Sequence, residues 1–269
     1  VLESLAPARR RLVIAVAGVV VLAVVVAVAV VVVRRMTGGG VADQATPGPV
    51  VLVPGYGADL AALDPLARTL VQQGRTSVVF RPADDGTGDL RAEARALGRL
   101  VDRTLTSSHA ESVDLVGYSA GGVVARLYVR DDGGRHTVRR VLTIGSPHHG
   151  TDVAQLAEDV AGSCPTACEQ LATGSDLIQR LDAGDETPTG PRWVTVRSSS
   201  DRTVVPTDSA ELAGALNVLV QEVCPGRTTS HGALPGDPVV LATLRSALGR
   251  AVPSRPRAAC GGLSGSADG

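Results

Sequence analysis

The sequence predicts an α/β fold, a mainly parallel sheet with helices on both faces. Three observations lead there. Short, continuous apolar runs recur at 50–53, 77–80, 113–117 and 138–145. Segments with helical spacing separate them, and the two signals alternate from residue 49 to about residue 250. Strands buried on both faces read as unbroken apolar runs, and strands alternating with helices build parallel sheets.

Each element has its own reason. The run 50–53 stops at Pro54 and Gly55. Residues 58–73 place Leu60, Leu63, Leu66, Leu70 and Val71 on one side of a helix that Gly74 ends. Asp89 caps a long amphipathic helix reaching about residue 105. The run 113–117 leads into a helix over 120–130, and 138–145 is a fourth strand. Residues 193–197 and 218–223 are further strand candidates, and 241–248 reads as a closing helix. Residues 152–190 break the rhythm. Rich in Gly, Pro and Asp, they read as an excursion above the sheet.

The N-terminal segment has a different character. From Leu12 to Val33 run 22 uncharged residues of Leu, Val, Ile, Ala and one Gly. At about 1.5 Å per residue, such a helix crosses a hydrocarbon core roughly 30 Å thick. It is longer than the apolar region of a cleavable signal peptide, so an uncleaved signal anchor is expected. Arg9, Arg10 and Arg11 precede it, against Arg34 and Arg35 after it, which places the N-terminus inside and the large domain outside. The expected organisation is a stub and transmembrane anchor over 1–35, a flexible linker over 36–48, a catalytic domain over 49–252 and a tail over 253–269. The catalytic domain is then membrane-anchored and extracytoplasmic, or secreted if the anchor is cleaved.

Composition narrows the partners. A net charge of −1 gives no basic face for a nucleic acid. No obligate protein partner is evident. Cys164, Cys168, Cys224 and Cys260 make an even number, which in an exported domain reads as disulfides. Cys164 with Cys168 could close a small loop and Cys224 could pin the tail through Cys260, with the connectivity left open by the sequence. A metal site is the weaker reading, because Cys224 and Cys260 lack any paired ligand spacing.

The chemistry is concentrated at Gly117-Tyr118-Ser119-Ala120-Gly121, between an apolar run and a helical segment. Strand, G-x-S-x-G and helix in that order form a nucleophile elbow. The serine sits on a strained turn, and the flanking Gly117 and Gly121 let neighbouring backbone approach. The elbow expects Ser, then Asp or Glu, then His along the chain. His109 and His136 lie in turns on the wrong side of the sheet. His148 and His149 are near the elbow but precede any plausible acid. His231 follows the last strand candidate and is the expected base. Asp201, in the loop after the 193–197 strand, is the expected acid; Asp208 is the runner-up, placed at the start of a helix holding Glu211 and Leu212, and Asp176 and Asp182 are weaker. The oxyanion hole is expected from the Tyr56 and Ala120 amides.

Taken together, Val51-Leu-Val-Pro-Gly-Tyr-Gly57, Asp114-Leu-Val-Gly-Tyr-Ser-Ala-Gly-Gly122, Ile144-Gly-Ser-Pro-His-His-Gly-Thr151, and Ser200-Asp-Arg-Thr-Val-Val-Pro206 with Ser230-His-Gly-Ala-Leu234 resemble the bacterial lipases and esterases of the α/β-hydrolase superfamily, of the class 2 or triacylglycerol-lipase type. The resemblance spans about residues 49–250. It implies an α/β-hydrolase fold, ester or lipid substrates and no cofactor. It also implies that the third motif borders the site and leads into a covering segment, with His148 and His149 in supporting roles. The chain departs from the pattern at Pro54, where relatives often carry His. Other enzymes on the same triad (a phospholipase, an amidase, a cell-envelope acyltransferase) remain alternatives. So does an inactive membrane-anchored binding protein.

Overall fold

The computed structural model describes residues 13, 15–28, 40–154, 164–257 and 260. It divides into two units, Val1–Gly40 and Val41–Gly269. In the first, residues 15–28 are helical with exposed apolar side chains. Among the described residues no helix is long and apolar enough to cross a membrane. Both ends of the expected span, Leu12 and residues 29–33 including Val33, lie outside the described residues.

The second unit holds one parallel sheet of β1 (Val50–Val53), β2 (Ser77–Val79), β3 (Val113–Tyr118), β4 (Val138–Ile144), β5 (Arg192–Arg197) and β6 (Leu216–Leu219). The spatial order is β2-β1-β3-β4-β5-β6. Its main helices are α1 (Asp64–Gln72), α2 (Leu90–Ser108), α3 (Ala120–Asp131), α4 (Thr166–Leu171), α5 (Asp176–Asp182) and α6 (Pro238–Leu248). Side chains alternate between the faces of each strand. Val51, Val53 and Leu115 therefore pack with Leu97, Val101 and Val124 from α2 and α3. Val50, Leu52 and Val116 pack on the other face with Leu66, Leu70, Val240 and Leu244 from α1 and α6. Both faces being covered explains why the strands read as apolar runs.

At the amino ends of β3 and β4, both oxygens of the buried Asp114 carboxylate are engaged. Asp114 accepts from Arg139 at 2.9 and 2.6 Å and from Arg75 at 2.6 Å. Both arginines also donate to the Leu248 carbonyl, at 2.8 Å each. Pairing and hydrogen bonding offset the desolvation that burying these ions costs.

Several boundaries differ from expectation. The first helix begins at Asp64, not near residue 58, because Ala58 takes a left-handed φ of 47° and Pro65 opens the helix. The strand expected over 218–223 is Leu216–Leu219 followed by a helical turn, Val220–Val223. A short apolar run does not distinguish the two conformations. The closing helix starts at Pro238, three residues early, because Asp237 caps it by accepting from the Val239 amide at 2.7 Å. Asp208 lies in a single turn, Thr207–Ala210, that ends before Glu211. The expected linker is partly docked: Ala42 is buried, and Gln44 exchanges hydrogen bonds with Arg139. The excursion contains α4 and α5, and its residues 155–163 lie outside the described residues.

Candidate active site

β1 and β3 are neighbours, and the connection from β1 runs to β2 on one side while that from β3 runs to β4 on the other, so the two leave in opposite directions. In parallel sheets the crevice at such a switch point, beyond the carboxyl ends of the strands, is the preferred ligand site. The loop Pro54–Gly57 leaves β1 there and Ser119 leaves β3 there.

Ser119 joins β3 directly to α3 with φ 52° and ψ −126°, a left-handed φ that few non-glycine residues adopt. The turn closes only because its neighbours are small. A Cβ on Gly121 would overlap the Val53 carbonyl, and one on Gly117 would stand 2.5 Å from the Gly122 Cα. Ala120 occupies the first position of α3, where the amide has no intrahelical acceptor and the helix field favours negative charge. Backbone just after β1 presses on Ser119: a Cβ on Gly55 would lie 2.9 Å from the Ser119 Cβ. Tyr56 and Ser119 share the wall of one cavity.

The structure brings Ser119, His231 and Asp201 into one hydrogen-bonded chain. His231 Nε2 lies 3.0 Å from Ser119 Oγ, and His231 Nδ1 lies 2.7 Å from Asp201 Oδ2. A carboxylate only accepts, so Nδ1 carries the proton and Nε2 is left to accept from the serine. The other Asp201 oxygen accepts from the Thr203 and Val204 amides at 2.8 and 3.0 Å. That loop is held in turn by Thr151, whose hydroxyl donates to the Thr203 carbonyl at 2.7 Å and accepts from the Val205 amide at 3.1 Å.

Ser119 opens on a cavity of about 410 Å³ lined largely by apolar groups, among them Pro147, Val153, Leu171 and Val204. Cys164 and Cys168 also line it. The two are bridged to each other, and Cys224 is bridged to Cys260. Among the described residues no group of three or more His, Cys, Asp or Glu side chains is arranged to hold a metal.

The remaining candidates lie elsewhere. His148 is fully buried, with Nε2 2.9 Å from Thr143 Oγ1. Burial, aided by the Arg126 and His149 charges, pushes its imidazole well below the ordinary range, so the ring stays neutral. His149 pairs with Asp182 at 3.0 Å. Asp176 opens α5. His109 ends α2 in a left-handed conformation, and His136 lies in the turn Gly134–Thr137.

A model of the palmitoyl protein thioesterase family matches residues 49–182. Solved structures share the fold. Lipase B of Aspergillus fumigatus superposes with a TM-score of 0.66 and 18% identity, over 77% of this chain and 54% of that one. The chain has the α/β-hydrolase fold. The mature lipase BlEst2 of Bacillus licheniformis gives a TM-score of 0.59 and 21% identity, over 74% of this chain and 91% of that one. The lin2722 gene product of Listeria innocua gives 0.54 and 15%, over 76% and 94%. This chain spans about half the length of the A. fumigatus lipase it matches.

Three supports of the site escaped the sequence reading. Tyr118 stacks on the His231 ring. Gly145, at φ 53°, leaves space beside the Asp201–His231 bond. Arg126, buried behind the elbow, donates to the His148 carbonyl. A glycine ending a strand beside a proposed site was the one visible signal among them.

Proposed function

We propose that this chain is a serine hydrolase that cleaves carboxylic esters, a lipase or esterase working through an acyl-enzyme on Ser119. The observation that supports it best is the hydrogen-bonded chain from Asp201 through His231 to Ser119, set at the mouth of an apolar cavity.

Ser119 Oγ attacks the acyl carbonyl carbon as its proton passes to His231 Nε2. The carbonyl electron pair moves onto oxygen, where the Tyr56 and Ala120 amides hold it. Asp201 stabilises the imidazolium. Collapse of the tetrahedral species breaks the ester C–O bond, and His231 protonates the departing alcohol. Water then repeats the sequence on the acyl-enzyme and releases the acid. The apolar cavity takes the acyl chain. We also read Leu12 to Val33 as a membrane tether for an extracytoplasmic enzyme, and the two disulfides suit an oxidising compartment.

A second reading, an acyl thioester as substrate, is favoured by the family match over 49–182. It uses the same steps with a thiol leaving group.

The test treats the full chain, produced under oxidising conditions, with a fluorophosphonate probe beside Ser119→Ala and His231→Ala. Modification of Ser119 that both substitutions abolish is expected. A folded wild-type protein that takes no probe would leave only a non-catalytic scaffold. Paired p-nitrophenyl esters, acyl thioesters, anilides and phospholipids then rank the substrate classes.

A further inference from the structure

We infer that Tyr118 is a positioning residue for the base, its ring and hydroxyl together holding the His231 imidazole in line between Asp201 and Ser119. This rests on the reading of those three residues as a catalytic set.

Two contacts carry it. The Tyr118 and His231 rings stack with centroids 5.2 Å apart and planes 30° from parallel. The Tyr118 hydroxyl donates to the His231 backbone carbonyl at 3.2 Å. One contact fixes the plane of the imidazole and the other fixes the backbone that carries it. A tyrosine in an apolar cluster needs only its ring to pack; here the hydroxyl reaches the base itself.

Topology explains why this residue does the work. Tyr118 ends β3, paired with Ile144 of β4, and belongs to the core face that α1 and α6 cover. His231 opens the turn His231–Gly236 that leads into α6, so it arrives over that same face. The strained φ at Ser119 turns the next side chain out toward the cavity. One tight turn thereby sets the nucleophile and the support of its base on consecutive residues. Burial first, then the Asp201 and Asp59 charges, push the Tyr118 hydroxyl up to about 12, so it remains a donor across the working pH range. Among the described residues, Asp201 is the ionisable group hydrogen-bonded to the imidazole, and the Tyr118 ring stacks on it. The ring face also favours the imidazolium that forms when Ser119 is deprotonated.

The experiment measures fluorophosphonate labelling of the detergent-solubilised full chain from pH 5 to pH 9 for wild type, Tyr118→Phe and Tyr118→Leu. Titre counts folded sites, and the first-order rate reports each site's reactivity. Tyr118→Phe is expected to keep its titre and its pH profile while the rate per site falls about fivefold, the effect of one ordinary hydrogen bond. Tyr118→Leu is expected to lose on the order of 100-fold in rate per site. Its acidic limb moves to lower pH, because the aromatic face no longer favours the imidazolium. Wild-type rates and limbs in both variants, or losses confined to titre, would overturn the inference and leave the hydrolase reading standing. A wild-type chain that takes no label removes the hydrolase reading, and this inference with it.

Discussion

The buried Arg126 guanidinium donates to the His148 carbonyl oxygen at 2.9 Å. It also donates to the Leu181 and Glu186 carbonyls, at 2.7 and 3.2 Å, and pairs with Asp182 at 3.3 Å. One side chain of α3, the helix that follows Ser119, thus ties the loop after β4 to the 152–190 excursion. Arg126→Met would keep much of the packing and strand those carbonyls without a donor. A loss of about 2–4 kcal/mol in urea unfolding is expected, since unsatisfied buried acceptors cost more than a bond is worth. Asp182→Asn, at the partly exposed end of the same network, should cost under ~1 kcal/mol. Equal losses in the two variants would contradict the assignment.

Gly145 should be intolerant of a methyl group for a catalytic reason. Its φ is 53°, and a Cβ there would stand 2.7 Å from Leu234 Cδ1 and 3.3 Å from both Asp201 Oδ2 and His231 Nδ1. Gly145→Ala is expected to lower kcat on the order of 100-fold, the effect of misplacing a catalytic group by a fraction of an ångström to an ångström. Gly74→Ala is the control. It shares a positive φ of 68° but meets open space, so it should lose ~1 kcal/mol of stability and keep its kcat. The idea fails if the two variants have the same kcat.

The divide between what could and could not be read beforehand has a physical basis. The strands were legible because both sheet faces are covered, which forces unbroken apolar runs such as Val50–Val53. That Ser119, Asp201 and His231 meet in one hydrogen-bonded chain was legible because the elbow and the order of the chain constrain their places. Tyr118 was not, since its partner His231 lies 113 residues away and nothing local marks the stack. Arg126 was hidden for another reason: an arginine on a helix ordinarily reads as a solvated residue. Beyond residue 219 the backbone turned helical over Val220–Val223, where Gln221 and Glu222 interrupt the apolar run.

The two disulfides should separate into a shaping role and a stabilising role. Cys164–Cys168 spans 4 residues of sequence and lines the cavity at Ser119; Cys224–Cys260 spans 36 and lies away from it. Chain-entropy arguments assign about 4 kcal/mol to the longer loop and about 2 to the shorter. The double variant Cys224→Ala/Cys260→Ala should show the larger fall in Tm with an unchanged acyl-chain profile. Cys164→Ala/Cys168→Ala should shift the preferred chain length in a p-nitrophenyl ester series. With that bridge intact, activity should rise smoothly through the substrate solubility limit. An unchanged chain-length profile in the second variant would remove the shaping role.

Glu93 should make the fold less stable as pH rises toward neutrality. It sits on α2 with a buried Oε1 that has no hydrogen-bond partner. Burial first, then the Asp89 and Asp84 charges, raise its carboxyl to about 7. The folded chain therefore holds this proton more tightly than the unfolded chain does. Its contribution is complete below about pH 4.5, declines as pH rises through the interval up to about 7, and is flat above. At ~1.4 kcal/mol per pKa unit the whole effect is on the order of 3 kcal/mol. His148 acts in the opposite sense, because its imidazole is held well below the ordinary range: it destabilises the fold as pH falls below about 6.5. The wild-type curve combines the two, so the informative quantity is the difference between wild type and Glu93→Gln in urea unfolding from pH 5 to pH 8. Glutamine keeps the shape and cannot ionise. The variant should match wild type near pH 5 and exceed it by roughly 2–3 kcal/mol at pH 8. A difference that does not change with pH would mean that Glu93 ionises in the folded chain as it does in water.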